Sequence, residues 1–279
     1  MYYLNNTTYN EKTLMGRLRR YFLIYFETFS VPTADTLFLL ILSILTSESA
    51  HSIRFLYQHF LSGITEKSLN VFYYACSYAK VDYSNFMNIT ARTALKLIPD
   101  PLKTHPVFLC VDDTMVSKSG KKFENVSKLF NHAAHNGSNY LNGHCFVSIM
   151  LCVPVLDHDK ISYLSVPLGY GYRMWQKKES KLELAASMIR QVMPEFLSKE
   201  HVIILCDSWY TKKNLVSIID EYPNLDLIGN ARIDSVMYDL APAQTGRRGR
   251  PAKHGKRLSV ETDFTFSNEK IGDYYTGVR

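Results

Sequence analysis

Apolar and polar positions divide the chain into three stretches with different rhythms. Between residues 11 and 98 the apolar side chains recur at three- and four-residue steps. Ile53, Leu56, Tyr57, Phe60 and Leu61 form one such stripe, which is the spacing of a helix face. Gly63 interrupts it, and Thr65 and Ser68 are cap residues for a following helix expected from about Glu66 to Ala79. Alternation with period two is never sustained here, so the stretch reads as helical.

The rhythm changes at Pro99, Asp100 and Pro101. Short runs rich in Val, Ile, Phe and Tyr follow at 107–111, 145–156 and 161–168, and they predict three successive strands. Asp157, His158 and Asp159 form the turn between the second and third. In KKESKLELAASMIRQVMPEFL, Leu182, Ala185, Ala186, Ile189, Val192 and Met193 share one helical face, and Pro194 stands near the end. HVIILC at 201–206 predicts a fourth strand, TKKNLVSIIDEY a helix and LDLIGNAR a fifth strand. The order is that of a mixed α/β sheet. The near-continuous apolar character of 107–111 and 202–206 predicts central strands covered on both faces.

After residue 240 the composition shifts once more. Six Lys or Arg fall between Arg247 and Arg257, within QTGRRGRPAKHGKR. Such a segment cannot pack a core and reads as an exposed loop. ETDFTFSNEKIGDYY alternates weakly and begins a further strand. Three units result: a helical one over 1–100, a sheet-containing one over 101–232, and a basic loop with a strand start over 233–279. There is no internal repeat.

Composition narrows the picture modestly. Hydrophobic residues make up 46% and charged residues 21% of the 279 positions, ordinary for a globular protein. The net charge of +6 is compatible with a polyanionic partner without requiring one. Five cysteines without CxxC spacing argue against a disulfide framework or structural zinc and fit a reducing cytoplasm. Cys110, Cys152 and Cys206 lie in apolar runs and read as small buried hydrophobes. The most apolar segment, TLFLLILSIL at 36–45, is about half the length that spans a bilayer. The apolar run after Arg17, Arg19 and Arg20 is closed by Glu27 before it reaches signal-peptide length. The expectation is a soluble, cytoplasmic, unprocessed protein with no membrane contact.

Chemistry concentrates where apolar runs meet acids. Residues 107–111 pass directly into Asp112 and Asp113, and 202–206 into Asp207. In open α/β sheets functional groups collect past the carboxyl ends of central strands. If the two strands are neighbours, these carboxylates converge, and converging carboxylates repel unless a cation neutralises them. Hard oxygens suit Mg²⁺ or Mn²⁺. The bland alternative, helix caps or solvated strand ends, stays open on spacing alone.

Several blocks carry a resemblance: VDDTMVSKSGKKFE, HAAHNGSNYLNGHCFVSIMLCVP, YRMWQKKESKLELA, LCDSWY and RRGRPAKHGKR. Together, from about residue 36 to the end, they resemble a bacterial insertion-sequence transposase of the DDE superfamily. The resemblance implies an α+β protein, with a helical N-terminal domain followed by a ribonuclease-H-like core that is incomplete here. It implies that the first acid is Asp113, immediately before Thr114, with Asp112 as second choice, and that the second acid is Asp207. These would bind Mg²⁺ or Mn²⁺ and catalyse cleavage at element ends and strand transfer into target DNA. The implied partners are double-stranded DNA, as terminal inverted repeats contacted by the helical region and as target DNA, and a second copy of the chain on that DNA. The family's third acid, a Glu in a downstream Tyr/Arg/Glu/Lys signature, has no counterpart; Glu261 and Glu269 do not match it. A C-terminally truncated transposase is expected. A non-catalytic DNA-binding remnant and a metal-dependent nuclease without strand transfer are the alternatives.

Basic residues complete the candidate set. Arg248-Gly249-Arg250-Pro251 resembles an AT-hook core, which lies in a narrow minor groove, or is a solvated loop on phosphates. Arg247, Arg248, Arg250, Lys253, Lys256 and Arg257, with Lys121 and Lys122, are the expected DNA-contacting residues, and Lys118 shares the turn of the last pair. His132, His135 and His144 read as polar loop residues beside Asn136-Gly137 and Asn142-Gly143 turns. Trp209, Tyr210 and Trp175 read as core aromatics, with base stacking the alternative for the first two. None of the cysteines reads as a nucleophile.

Overall fold

The computed structural model describes residues 13–48, 52–120, 123–130, 139–172, 180–196, 200–232, 234–243, 252–272 and 274–278. Five helices come first: α1 (Leu14–Phe26), α2 (Val31–Thr46), α3 (Ile53–His59), α4 (Leu69–Tyr78) and α5 (Tyr83–Leu95). Their starts follow local chemistry. Thr13 accepts from the Gly16 N–H at 3.1 Å, Ser52 from the Phe55 N–H at 3.1 Å and Asp82 from the Asn85 N–H at 3.0 Å, satisfying donors that a helix start leaves unpaired. Ser68 caps α4 by position but makes no side-chain cap bond. Leu39, Leu56, Leu61 and Phe72 build a small core among these helices. None of the helices among the described residues is long and apolar enough to cross a membrane.

The main sheet contains β1 (Val107–Ser117), β2 (Ser127–Phe130), β3 (Tyr140–Asp157), β4 (Lys160–Tyr172), β5 (Val202–Cys206) and β6 (Leu225–Gly229). β3 lies antiparallel to β1 on one side and pairs with β2 and β4 on its other edge. β5 and β6 add in parallel on the far side of β1. A three-stranded antiparallel meander extended by two parallel strands is the ribonuclease-H-like topology, on a mixed α/β core with a helical region ahead of it. The β3–β4 turn is the tight one expected at 157–159: Asp157 pairs with Lys160, and His158 and Asp159 both take positive φ, as a two-residue hairpin demands.

One face of this sheet is sealed. Val107, Leu109 and Val111 of β1, Val147, Ile149, Leu151 and Val153 of β3, and Val202 and Ile204 of β5 pack with Met87, Ala91 and Ala94 of α5. α6 (Lys181–Val192) adds Ala185, Ala186 and Ile189 to the same cluster. The other face differs from the two-sided cover expected of the apolar runs. Phe108, Cys110 and Cys152 are only half-buried, and Met150, Leu156 and Ile228 are 38%, 54% and 60% exposed. Periodicity cannot tell the two cases apart, because an apolar side chain looks the same in sequence whether or not something covers it.

Other boundaries also moved. The first strand runs on to Ser117 because β3 keeps pairing with it as far as Ser117 opposite Gly143. Asn142-Gly143 therefore lies inside β3 and is not a turn; a Cβ on Gly143 would sit 2.2 Å from the Val116 carbonyl oxygen, so the glycine serves close backbone approach. The helix expected over 177–197 begins at Lys181 and passes into a 3₁₀ turn at Met193–Glu195, where Pro194 withholds a helix donor. The helix expected over TKKNLVSIIDEY breaks into α7 (Lys213–Val216) and a 3₁₀ turn. β2 had no sequence signal. Two ribbons, β7 (Met237–Tyr238) with β8 (Arg257–Leu258), and β9 (Thr265–Ile271) with β10 (Tyr274–Val278), stand outside the main sheet.

Candidate active site

β1 and β5 are neighbours in parallel register, and their pairing ends at Val111 opposite Cys206. Asp112 and Asp207 are thus the next residues on the two chains. The acids on β1 were expected past the strand's end; they lie within it, since the antiparallel partner continues where the parallel one stops. Measured against β5, the expectation and the structure describe the same place.

Adjacent strand residues point to opposite faces, and this separates the two acids. Asp113 follows Val107, Leu109 and Val111 onto the face covered by α6. Asp112 lies on the open face and is exposed; its carboxylate accepts from the Asp113 backbone N–H at 2.7 Å. The Asp113 carboxylate is 13% exposed and fully engaged. Lys181 Nζ donates to Oδ2 at 2.7 Å and the Tyr210 hydroxyl to Oδ1 at 3.0 Å. The Cys145 thiol points at Oδ2 from 3.6 Å.

Asp207 is exposed and opens a turn. Its carboxylate accepts from the Trp209 N–H at 3.0 Å, and its carbonyl from the Tyr210 N–H at 3.1 Å. Tyr210 is fully buried, so one residue is tied to Asp207 through its backbone and to Asp113 through its side chain. Asp113 and Asp207 are thus linked through one residue, the former by its side chain and the latter by its backbone. Burial, and then the negative charge of Asp113, push the Tyr210 phenol far above its ordinary range, which keeps it a hydrogen-bond donor. The reading of Tyr210 as a core aromatic agrees with the structure. Trp209 does not follow it: the side chain is 42% exposed, with Lys212 Nζ 4.1 Å and Lys181 Nζ 5.4 Å from its ring.

Lys181 was missed because nothing in a lysine at the start of an amphipathic helix distinguishes it from a solvated one. Ser180 and Glu183 form a capping box around that first turn, the Glu183 N–H donating to Ser180 Oγ at 3.1 Å and the Ser180 N–H to Glu183 at 2.8 Å. The box fixes where α6 begins, and so where the ammonium stands.

The expected basic residues are less gathered. Arg247, Arg248, Arg250, Lys121, Lys122, His132, His135, Asn136-Gly137 and Trp175 lie outside the described residues. Lys253, Lys256 and Arg257 belong to or adjoin the β7–β8 ribbon, and Lys256 is held by Asp263 at 2.9 Å. His144 is in β3, its Nε2 donating to the Glu124 carbonyl at 2.9 Å. Lys118 sits 5.6 Å from the Phe123 ring centre. None of the five cysteines is in a disulfide; Cys145 is buried, while Cys110, Cys152 and Cys206 are half-buried and Cys76 is exposed. Glu261 is exposed and away from strand β9, which contains Glu269. No group of three or more His, Cys, Asp or Glu placed to hold a metal occurs among the described residues.

The family described as DDE superfamily endonuclease matches residues 72–272, well over half of the chain. The chain belongs to this family. No curated protein matches it. Solved structures similar to it include a piggyBac transposase synaptic complex with hairpin DNA, at 12% identity and a TM-score of 0.39 over 73% of this chain. The chain spans 42% of that piggyBac chain. The Mos1 strand transfer complex is similar at 11% identity and a TM-score of 0.22, covering 80% of this chain and 74% of that one. The Mos1 transposase paired-end complex with left transposon end is similar at 12% and 0.23, covering 80% and 75%.

Proposed function

We propose that the chain is a DNA transposase of the insertion-sequence kind, with Asp113 and Asp207 as its metal-binding acids and Asp112, on the opposite face of β1, as the second choice for the first of them. The observation that carries this reading is the junction at Tyr210, which ties the acid of β1 to the acid after β5 in a chain of the DDE superfamily endonuclease family. Asp112, Asp113 and Asp207 offer only carboxylate oxygens, the donors that Mg²⁺ and Mn²⁺ take, so the residues present fit such an ion in kind. When bound, the ions would supply charge neutralisation at a scissile phosphate and an activated attacking oxygen.

The chain's own side chains do the rest. Tyr210 fixes the Asp113 carboxylate by donating to Oδ1, and the sealed core beneath β1 keeps that carboxylate from rotating into solvent. Asp207, exposed at the mouth of its turn, is open to an ion from solvent. Lys253, Lys256 and Arg257, with Arg247, Arg248, Arg250, Lys121 and Lys122, hold the double-stranded DNA by its backbone. A second copy of the chain holds the other end of the element.

The test uses duplex DNA from the borders of the genomic element, uncut or with pre-cut ends, with Mg²⁺. Joined products support the transposase; hydrolysis alone supports a nuclease without strand transfer. Asp113→Asn and Asp207→Asn should each abolish both products while retaining DNA binding. One observation favours a second reading, a DNA-binding remnant without catalysis: no group of three or more His, Cys, Asp or Glu placed to hold a metal occurs among the described residues. That reading predicts DNA binding but no cleavage by the unaltered chain at any Mg²⁺ or Mn²⁺ concentration.

A further inference from the structure

Lys181 occupies an electrostatically wrong place for its helix. It is the first residue of α6, and a cation in a first turn opposes the helix dipole. Its side chain is nevertheless 14% exposed, with the ammonium 2.7 Å from Asp113 Oδ2. The helix does not account for this placement, whereas Asp113 does. A charge this far out of water is costly to leave unpaired, and Lys181 supplies one unit of positive charge where a divalent ion would supply two.

We propose that Lys181 is a resident counter-ion of Asp113, and that a divalent cation loads the site by displacing its ammonium. This rests on the assignment of Asp113 as a metal-binding acid. Lysine and the metal ion compete for the same carboxylate, whose Oδ2 holds the Lys181 ammonium while Oδ1 accepts from the Tyr210 hydroxyl at 3.0 Å. The ammonium already lies 5.4 Å from the ring of Trp209, which Lys212 Nζ approaches to 4.1 Å, and a contact with that ring kept after displacement retains part of its stabilisation. The arrangement keeps the acid neutralised before metal arrives, and it places a freed cation beside the metal-binding acids once metal has bound, where a DNA phosphate is the matching anion.

The experiment measures Mn²⁺ binding to the full chain without DNA, by electron paramagnetic resonance of the free ion. Four proteins are compared: the unaltered chain, Lys181→Met, Asp113→Asn and the double variant. Lys181→Met is expected to bind Mn²⁺ roughly tenfold more tightly, the low end of what one adjacent opposite charge does to a carboxylate, and this gain is expected to vanish in the Asp113→Asn background. Lys181→Arg, which keeps the charge, should bind like the unaltered chain. Unchanged or weaker binding by Lys181→Met, with Asp113→Asn still reducing binding, overturns the counter-ion and leaves the metal site standing. Binding that Asp113→Asn does not affect in either background overturns the metal site itself. Should Lys181→Met not fold, Lys181→Gln enters the same comparison with the same deciding outcomes.

Discussion

The hydroxyl of Tyr210 meets the carboxylate of Asp113 at 3.0 Å across 97 positions of sequence, and this contact welds the turn after β5 to the middle of β1. Tyr210 is fully buried and Asp113 nearly so. A hydrogen bond to a charged, buried acceptor contributes about 1.5–3 kcal/mol. Tyr210→Phe should lower stability by about 2 kcal/mol in urea unfolding, and should reduce DNA cleavage more than DNA binding, since it frees the Asp113 carboxylate without touching the basic segment.

The same phenol sets an alkaline limit. Burial first, then Asp113, raise its pKa in the folded state above the unfolded value, which is about 10. Its contribution to stability is therefore complete below about pH 10 and declines as pH rises beyond it, because only the unfolded chain ionises there. Unfolding free energy measured across that range should fall less steeply in Tyr210→Phe than in the unaltered chain.

Two thiols should be slow to react. Burial, together with the neighbouring Cys152, raises Cys110 to about 11; burial, together with Asp207, raises Cys206 to about 11. The thiolate is the nucleophile, so alkylation of both should reach half its limiting rate near pH 11. Burial raises the Cys76 thiol as well, but the residue is exposed and should be labelled first. Mass spectrometry of iodoacetamide-treated chain over a pH series reads all three positions.

Loss of the α6 cap should be felt at the acid. Ser180→Ala removes the hydroxyl half of the capping box and leaves the Ser180 backbone N–H on Glu183, and should lower Tm by about 2–4 °C. The Glu183 carboxyl is held below its ordinary range by the Ser180 backbone N–H and then its hydroxyl. That part of the stability is present above the carboxylate's unfolded pKa and is lost as pH falls through the lower folded value. Differential scanning calorimetry at neutral and acid pH should show the Ser180→Ala deficit shrinking in acid.

Gly143 should tolerate no side chain. Its Cβ position lies 2.2 Å from the Val116 carbonyl oxygen, and backbone cannot move aside as a flexible side chain does. Gly143→Ala should destabilise by about 1–3 kcal/mol, the range for an overpacked site, measured by urea unfolding. It should also weaken Mn²⁺ binding, since Val116 lies three residues beyond Asp113 on the same strand.

Element types were mostly legible. Stripes at three- and four-residue steps marked the helices, short apolar runs marked β1, β3, β4, β5 and β6, and Asp157-His158-Asp159 marked the hairpin. Local periodicity and turn chemistry act within a few residues, so a sequence displays them directly. The strand β2 was invisible because SKLF alone has neither length nor rhythm; it forms by pairing with the start of β3. Lengths failed for the same reason, as β1 reaches Ser117 only while β3 lies beside it.

The sequence by itself determined that acids follow apolar runs at 112–113 and at 207, and that neighbouring acids on one strand must face opposite ways. It did not determine which of those faces was sealed. That depended on where α6 and α5 pack, through contacts between residues scores of positions apart. The same packing brought Lys181 and Tyr210 to Asp113, and it left the opposite face, with Asp112 on it, only partly covered among the described residues. Pairing and coverage are properties of the assembled chain, because the energy of burying a side chain depends on what lies against it and not on its own identity.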